Sequence, residues 1–197
     1  MWVRGAAIRP VPPYAVVGRD VLDGVEEELA DSGLSPRSDL DDAFSRFERT
    51  QPALAQLAAN VLSRPLDETA LALGYFLTIA VWLSFERAFG SRLREVQDGE
   101  LEAAESALRL EEELRASNAH EPLELDDVMA IEQPAILAFV NEHVDAALEP
   151  TDADPANARE VDVDDVHVVY RNVLTMTLAL SHAVSPVAGA APREMLA

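Results

Sequence analysis

The chain has 197 residues, of which 49% are hydrophobic, and 36 carboxylates against 15 basic residues give it a formal net charge of -21. This length is enough to bury a hydrophobic core, while the excess of negative charge disfavours binding to phosphate backbones and anionic membrane surfaces. All the basic residues are Arg and there is no Cys, which excludes catalytic lysines, thiolate nucleophiles, disulfides and cysteine-bound metals from this chain.

The first 19 residues are predicted to be an extended N-terminal arm. Pro10, Pro12 and Pro13 prevent a continuous helix there, because proline lacks the backbone N–H that a helix interior needs. The opening residues also lack the continuous apolar stretch of a signal peptide, so we expect a cytoplasmic protein.

Residues 20–184 are predicted to form a single all-α domain. An amphipathic helix is expected over 20–31, followed by a turn over 34–38 that contains Pro36. A duplicated pattern follows. Leu-Asp-Asp occurs at 40–42 and again at 125–127, and Gln-Pro-Ala with an aliphatic residue occurs at 51–54 and again at 133–136.

The duplication predicts the architecture of the domain. Repeat unit one is assigned to residues 38–90 and repeat unit two to 124–184, with a connecting helix over 91–117. Each unit would be a helix hairpin, and two such hairpins with pseudo-twofold packing give a multi-helix bundle of six to eight helices.

Helix starts can be placed inside each unit. Gln51 and Gln133 each precede a proline, and proline is favoured at the first helical position, where no N–H is needed. Asp67 and Asp162 are predicted N-caps of the two longer helices. The apolar stretch over 70–85 is shorter than the roughly 20 residues that cross a bilayer, so we expect a helix buried on all sides.

Two further segments have a clear composition. Residues 149–160 are rich in Asp, Pro and Ala and are predicted to be an exposed acidic loop. Residues 185–197 contain two prolines and a glycine and are predicted to be a disordered tail.

Candidate metal-binding or catalytic groups are few, and no cofactor is expected. Glu86 and His182 occupy neighbouring positions when the two long helices are aligned, and a carboxylate beside an imidazole can bind a metal or exchange protons. Glu48 and Glu132 precede the two Gln-Pro steps and could supply a second pair of carboxylates. Pairing of the glutamates with Arg and the favourable position of His182 near a helix C-terminus are the alternative explanations.

Three acidic runs are the candidate contacts for a protein partner. They comprise Glu26, Glu27 and Glu28, then Glu111, Glu112 and Glu113, and finally Asp162, Asp164 and Asp165. Carboxylates of this kind steer the approach of a basic partner and keep the free protein soluble.

The sequence therefore favours a non-enzymatic protein-binding or adaptor module with a basic protein partner and without nucleic acid or membrane. The alternatives are a metal-binding or hydrolytic helical-bundle enzyme, a mimic of nucleic acid, and a scaffold that associates with itself as a homodimer. No family assignment follows from these residues.

Overall fold

The protein is all-helical in the computed structural model, which describes residues 10–31, 36–117, 132–149 and 161–187. In those ranges there are seven α-helices, two short 3-10 helices and no strand longer than an isolated bridge, so the predicted all-α class is confirmed. The second Leu-Asp-Asp motif, residues 150–160 of the predicted acidic loop, and residues 188–197 of the predicted tail lie outside the described residues.

The helices are numbered in chain order. They are α1 (Arg19–Asp31), α2 (Pro36–Thr50), α3 (Pro52–Leu62), α4 (Glu68–Phe89), α5 (Asp98–Ser117), α6 (Pro134–Leu148) and α7 (Val163–Ala183), with 3-10 helices at Pro13–Ala15 and Gly90–Arg92.

Two predicted boundaries are wrong. The turn expected over 34–38 is wrong for residues 36–38, because α2 already begins at Pro36, and proline is tolerated in a first helical turn. The connecting helix expected over 91–117 begins only at Asp98. Gly90 has a φ of 50° at the C-cap of α4, which glycine adopts without steric cost. The 3-10 helix Gly90–Arg92 and a non-helical segment over 93–97 then precede α5.

The predicted helix starts are confirmed. Gln51 and Gln133 are the N-cap positions of α3 and α6, with proline at the first helical position of each. Asp67 accepts hydrogen bonds from the N–H groups of Thr69 and Ala70, and Asp162 does the same for the first turn of α7. These carboxylates satisfy donors that a helix N-terminus otherwise leaves without partners.

Helices α4 and α7 lie side by side at the centre and run in the same direction. At their N-termini, Asp67 N donates to Asp165 Oδ2 at 2.8 Å and Asp162 N donates to Asp67 Oδ2 at 3.1 Å. At their C-termini, Leu93 and Val184 form an isolated antiparallel bridge. The two central helices are therefore joined at their N-termini by backbone-to-carboxylate hydrogen bonds and at their C-termini by a backbone bridge.

The other helices cover this pair in two groups. Helices α1 and α6 pack mainly on α4, whereas α3 and α5 pack mainly on α7, and α2 packs on α3 and α4. The largest fully buried side chains include Trp82, Phe85, Met176 and Leu180 on the central helices. Burial of this apolar surface is the main source of the fold's stability.

Helix α4 approaches α3 and α7 closely at Gly74. A Cβ atom at this position would lie 2.6 Å from Leu62 Cδ2 of α3 and 3.2 Å from Val169 Cγ2 of α7. A larger residue at this crossing would therefore have to displace these two side chains.

Helix α4 is also the one helix in the described ranges that is long and apolar enough to cross a membrane by length and composition, when it is extended through Arg92. Just over half of its most apolar window, 56%, is buried inside the fold, and a core helix of a soluble protein satisfies the same criterion.

Candidate functional site

A large apolar concavity with polar edges lies between α2 and α4. It is an open groove of about 730 Å³. Its lining residues are Leu40, Asp41, Phe44, Ser45, Glu68, Leu71, Ala72, Tyr75 and Ile79. We call this the α2–α4 groove.

The groove exists because α4 is not buried on all sides as its composition predicts. Ala72 is exposed and Tyr75 is 45% exposed, although residues 77–85 are all buried. Helix α2 covers the later part of α4, where the ring of Phe47 lies 5.5 Å from that of Trp82. The earlier turns of α4 stay open on that side.

Aromatic rings run along the wall of the groove. The ring centroid of Phe44 lies 5.6 Å from that of Tyr75 and 5.9 Å from that of Phe47. Such contacts hold large side chains in fixed positions, so the groove presents a rigid apolar surface with a partly exposed tyrosine at its centre.

The described charged residues of the groove have one sign. Among the lining residues that the structure describes, Asp41 and Glu68 are charged, and none is Arg or His. Both carboxylates lie near the N-termini of their helices, α2 and α4. A positively charged ligand would therefore meet favourable charge at this end.

The first acidic run, on α1, lies against neighbouring helices. Glu26 Oε1 lies 3.3 Å from His143 Nε2 of α6, and Glu28 is paired with Arg87 of α4. Glu27 is exposed. Two of these three predicted partner-binding residues therefore already have contacts inside the chain.

The second and third runs are similar. Glu111 is buried, Glu112 pairs with Arg171 at 3.1 Å, and Glu113 is exposed on α5. In the third run, Asp162 caps α7 and Asp165 binds the backbone of Asp67, while Asp164 is exposed.

Glu86 and His182 have different neighbours. Glu86 accepts a hydrogen bond from Arg46 of α2 at 2.8 Å. His182 is 9% exposed, and its Nε2 lies 3.4 Å from the carbonyl oxygen of Pro10 in the N-terminal segment.

Glu48 and Glu132 also lie in different surroundings. Glu48 is exposed on α2, whereas Glu132 accepts a hydrogen bond from the N–H of Val11 at 2.9 Å. Across the four described ranges, no three His, Asp or Glu side chains are grouped so that they could hold a metal ion.

Gln51 has a structural role that sequence reasoning missed. Its side chain is buried, and its Nε2 donates to Arg94 O at 2.9 Å while its Oε1 accepts from Val96 N at 2.8 Å. The side-chain amide therefore binds the extended segment before α5 as a neighbouring β-strand would, through a carbonyl and an N–H two residues apart.

Gln133 makes the same arrangement with the segment before α1. Its Nε2 donates to Ala15 O at 2.7 Å and its Oε1 accepts from Val17 N at 3.1 Å, and Nε2 also lies 2.9 Å from Ser181 Oγ. The repeated Gln-Pro step was the signal for this role, but it predicted only a helix boundary.

One exposed ion pair shifts the pKa of its members. Arg19 of α1 donates two hydrogen bonds of 2.8 Å to Glu142 of α6. These bonds hold the pKa of Glu142 below its usual value, and they raise the pKa of Arg19. Both groups are charged at neutral pH.

The chain matches no protein-family model, no curated protein and no solved structure.

Proposed function

We propose that this protein is a non-enzymatic protein-binding module whose α2–α4 groove holds a basic amphipathic helix of a partner. The observation that carries the proposal is the groove itself, whose described lining combines an apolar wall, the partly exposed Tyr75 and the carboxylate of Asp41. Grooves of this kind accept one apolar face of a helix.

The shape and charge of the groove support this choice of partner. Leu40, Phe44, Leu71 and Ile79 offer apolar contacts along two adjacent helices, and a bound helix would place residues at i, i+3, i+4 and i+7 against them. Its basic residues would then meet Asp41, while the overall charge of -21 accelerates the encounter.

The negative charge also supports the part of the proposal that excludes nucleic acid and membranes as partners. A cytoplasmic protein of this composition would avoid nucleic acid and anionic membranes. Association with a second copy stays an alternative that light scattering at rising protein concentration distinguishes. The metal-binding alternative loses support because the four carboxylate and imidazole candidates have separate surroundings.

The test is a calorimetric titration of the full chain with a synthetic helical peptide of about 16 residues, with Leu at positions i, i+3, i+4 and i+7 and Arg at exposed positions. Two control peptides have the same composition in scrambled order and the same Leu positions with Glu in place of Arg. We expect binding of the first peptide alone, with affinity that falls as NaCl is raised.

Variants locate the site. Tyr75→Ala should weaken peptide binding about tenfold or more, because exposed aromatic side chains dominate such contacts. Asp41→Asn should weaken it less, and Asp42→Asn, on the same helix but outside the groove lining, should leave it unchanged. Equal binding of the scrambled peptide, or no effect of Tyr75→Ala, would overturn the proposal.

We also infer an internal duplication with pseudo-twofold packing. Three pairs of features support it. Gln51 and Gln133 have nearly equal backbone angles, with φ of -138° and -135° and ψ of 61° and 59°. Each central helix begins with an Asp cap, and each is covered by two helices, one from each half of the chain.

The inferred units are wider than residues 38–90 and 124–184. Apolar residues occur at the fourth, seventh and eleventh positions of both α1 and α5. They are Leu22, Val25 and Leu29 in α1, and Leu101, Ala104 and Leu108 in α5. Helix α5 is then the counterpart of α1 rather than a connector, and each Gln amide holds the first segment of the opposite unit.

Hydrogen exchange tests this crossed arrangement. Gln51→Ala should speed exchange of the Val96 amide and of α5, whereas Gln133→Ala should speed exchange of the Val17 amide and of α1. Faster exchange confined to the half of the chain that carries each substitution would contradict it.

A further inference from the structure

A second cavity has the opposite chemistry to the α2–α4 groove. It lies between α3, α5 and α7, has a volume of about 380 Å³, and exposes polar and apolar surface in similar amounts. Arg64 follows α3, Arg109 lies on α5 and Arg171 lies on α7, and all three line the cavity.

This is a concentration of positive charge in a strongly acidic chain. The structure describes the side chains of nine Arg residues, and three of them surround this one cavity. Among the described lining residues, Glu105 is the only carboxylate. The cavity therefore carries a local positive charge in a chain whose net charge is -21.

Two of the guanidinium groups have no partner among the described residues. Arg171 pairs with Glu112 at 3.1 Å, but the guanidinium groups of Arg64 and Arg109 make no hydrogen bond or ion pair within the part of the chain that the structure describes. Almost every other described Arg binds a carboxylate or a backbone carbonyl, so two free guanidiniums beside one cavity are unusual in this protein.

A buried amide gives an independent indication of a ligand. Asn172 lines the cavity and is only 5% exposed, and its Oδ1 has no hydrogen-bond partner among the described residues. Its Nδ2 lies 3.7 Å from the sulfur of Met176. Leaving a buried acceptor without a donor costs free energy, so such atoms call for an explanation.

We propose that this cavity binds a hydrogen phosphate group, either as inorganic phosphate or as a small phosphate monoester with a free hydroxyl. The free guanidiniums of Arg64 and Arg109 would neutralise the phosphate dianion, since planar N–H forks match its oxygens. The unpartnered Oδ1 of Asn172 is covered in the structure, so a rotation of this side chain on binding would bring it to the cavity, where it would accept a hydrogen bond from the phosphate O–H or from a hydroxyl of the ester. This site is separate from the groove proposed for a partner helix.

The Asn172 acceptor makes the proposal specific. Hydrogen phosphate carries one O–H donor at neutral pH, whereas sulfate is an anion of similar shape and charge without a donor. A site that offered only arginines would bind the two anions alike. This site should instead prefer phosphate.

The experiment is calorimetric titration of the full chain with sodium phosphate, sodium sulfate and glycerol 3-phosphate at constant ionic strength and pH. We expect phosphate to bind about tenfold more tightly than sulfate, which corresponds to one hydrogen bond kept or lost. Tighter binding of glycerol 3-phosphate than of phosphate would identify the ligand as a monoester, and the reverse order would identify it as the free ion.

Variants separate the roles of the side chains. Arg109→Gln should weaken both anions about tenfold or more, and Glu105→Gln should strengthen both by removing the opposing charge. Asn172→Leu should remove the preference for phosphate while sulfate binding is unchanged. Arg49→Gln is the matched control, because Arg49 of α2 is also exposed and without a partner but lies outside the cavity lining.

Two results would overturn the proposal. One is equal affinity of the wild-type chain for phosphate and sulfate. The other is an equal effect of Arg109→Gln and Arg49→Gln, because that would show that anions respond only to the net charge of the protein. Circular dichroism and thermal unfolding of each variant establish that its fold is intact.

Discussion

Helices α4 and α7 are each covered by two other helices, but the side chains between each central helix and its covering helices differ. On the α4 flank, where α1 and α6 pack, the ring of Phe139 lies 6.2 Å from that of Phe76 and 4.3 Å from that of His143. On the α7 flank, where α3 and α5 pack, Arg171, Asn172 and Thr175 line a cavity instead.

The side chains of His143 and Asn172, one on each flank, differ in their hydrogen-bond partners. His143 on the α4 flank has an acceptor oxygen beside each ring nitrogen, since Nδ1 lies 2.9 Å from Phe139 O and Nε2 lies 3.3 Å from Glu26 Oε1. Asn172 on the α7 flank has an acceptor without a partner among the described residues, and the only other buried side-chain atom of this kind among those residues is Thr78 Oγ1 of α4. Aromatic packing with satisfied polar groups serves stability, whereas a cavity with an unsatisfied amide lowers stability and leaves room for a ligand.

The largest expected effect comes from removing a ring on the α4 flank. Phe139→Ala should lower the free energy of unfolding by about 3–5 kcal/mol, because it leaves a cavity in a close-packed core. Leu57, which follows Gln51 as Phe139 follows Gln133, is only partly buried beside the α7 cavity, so Leu57→Ala should cost less than about 2 kcal/mol. Denaturant unfolding measures both, and equal losses would show that the flanks are packed alike.

A second substitution makes the α4 flank resemble the α7 flank. Leu77 lies ten residues after Asp67, as Asn172 lies ten residues after Asp162, and Leu77 is fully buried. Leu77→Asn should lower the free energy of unfolding by about 2–4 kcal/mol, since it buries an amide without partners and removes apolar contacts. A smaller loss of unfolding free energy than that caused by Leu57→Ala would contradict the difference in packing between the two flanks.

Replacing Asn172 of the α7 flank with leucine should have a smaller effect on stability, of opposite sign. Asn172→Leu is expected to raise the free energy of unfolding by about 1 kcal/mol, because it replaces an amide whose acceptor has no partner with an apolar group of similar size. Thermal unfolding without phosphate measures the gain. A loss of stability would mean that the amide has a structural role on the α7 flank.

The smallest effect concerns the exposed pair that joins α1 to α6 over the α4 flank. Arg19 lowers the folded-state pKa of Glu142 through two hydrogen bonds, so this pair stabilises the fold above the usual glutamate pKa of about 4.3. That contribution is lost as the pH falls through the lowered pKa. Glu142→Gln should therefore be slightly less stable than wild type at pH 7, and the difference should shrink in acid. A difference that is constant across this range would exclude the ionic contribution.

The sequence predicted those features that depend on local chemistry. The Asp67 and Asp162 caps and the Gln-Pro helix starts could be located because capping and proline geometry involve residues close together in the chain. The start of α5 was misplaced, because the backbone of Arg94 and Val96 is held by the distant side chain of Gln51. Composition alone could not show that contact.

For the candidate sites too, the sequence shows the residue types, whereas the tertiary structure shows their contacts. The carboxylates of the three acidic runs were visible as charge, but their pairing with Arg87, His143 and Arg171 was not. The α2–α4 groove depends on Tyr75 being only partly covered by α2, which hydrophobic periodicity does not encode.

The sequence by itself determined the all-α class, the acidic surface, the absence of lysine and cysteine chemistry, and the capped starts of the helices. These properties follow from residue counts and from contacts within one or two helical turns. Only the tertiary structure decided that Arg64, Arg109 and Arg171 meet beside Asn172, and that two glutamine amides hold distant segments. Such groups come from helices far apart in the chain, and they become neighbours only when burial of the apolar faces fixes how the helices pack.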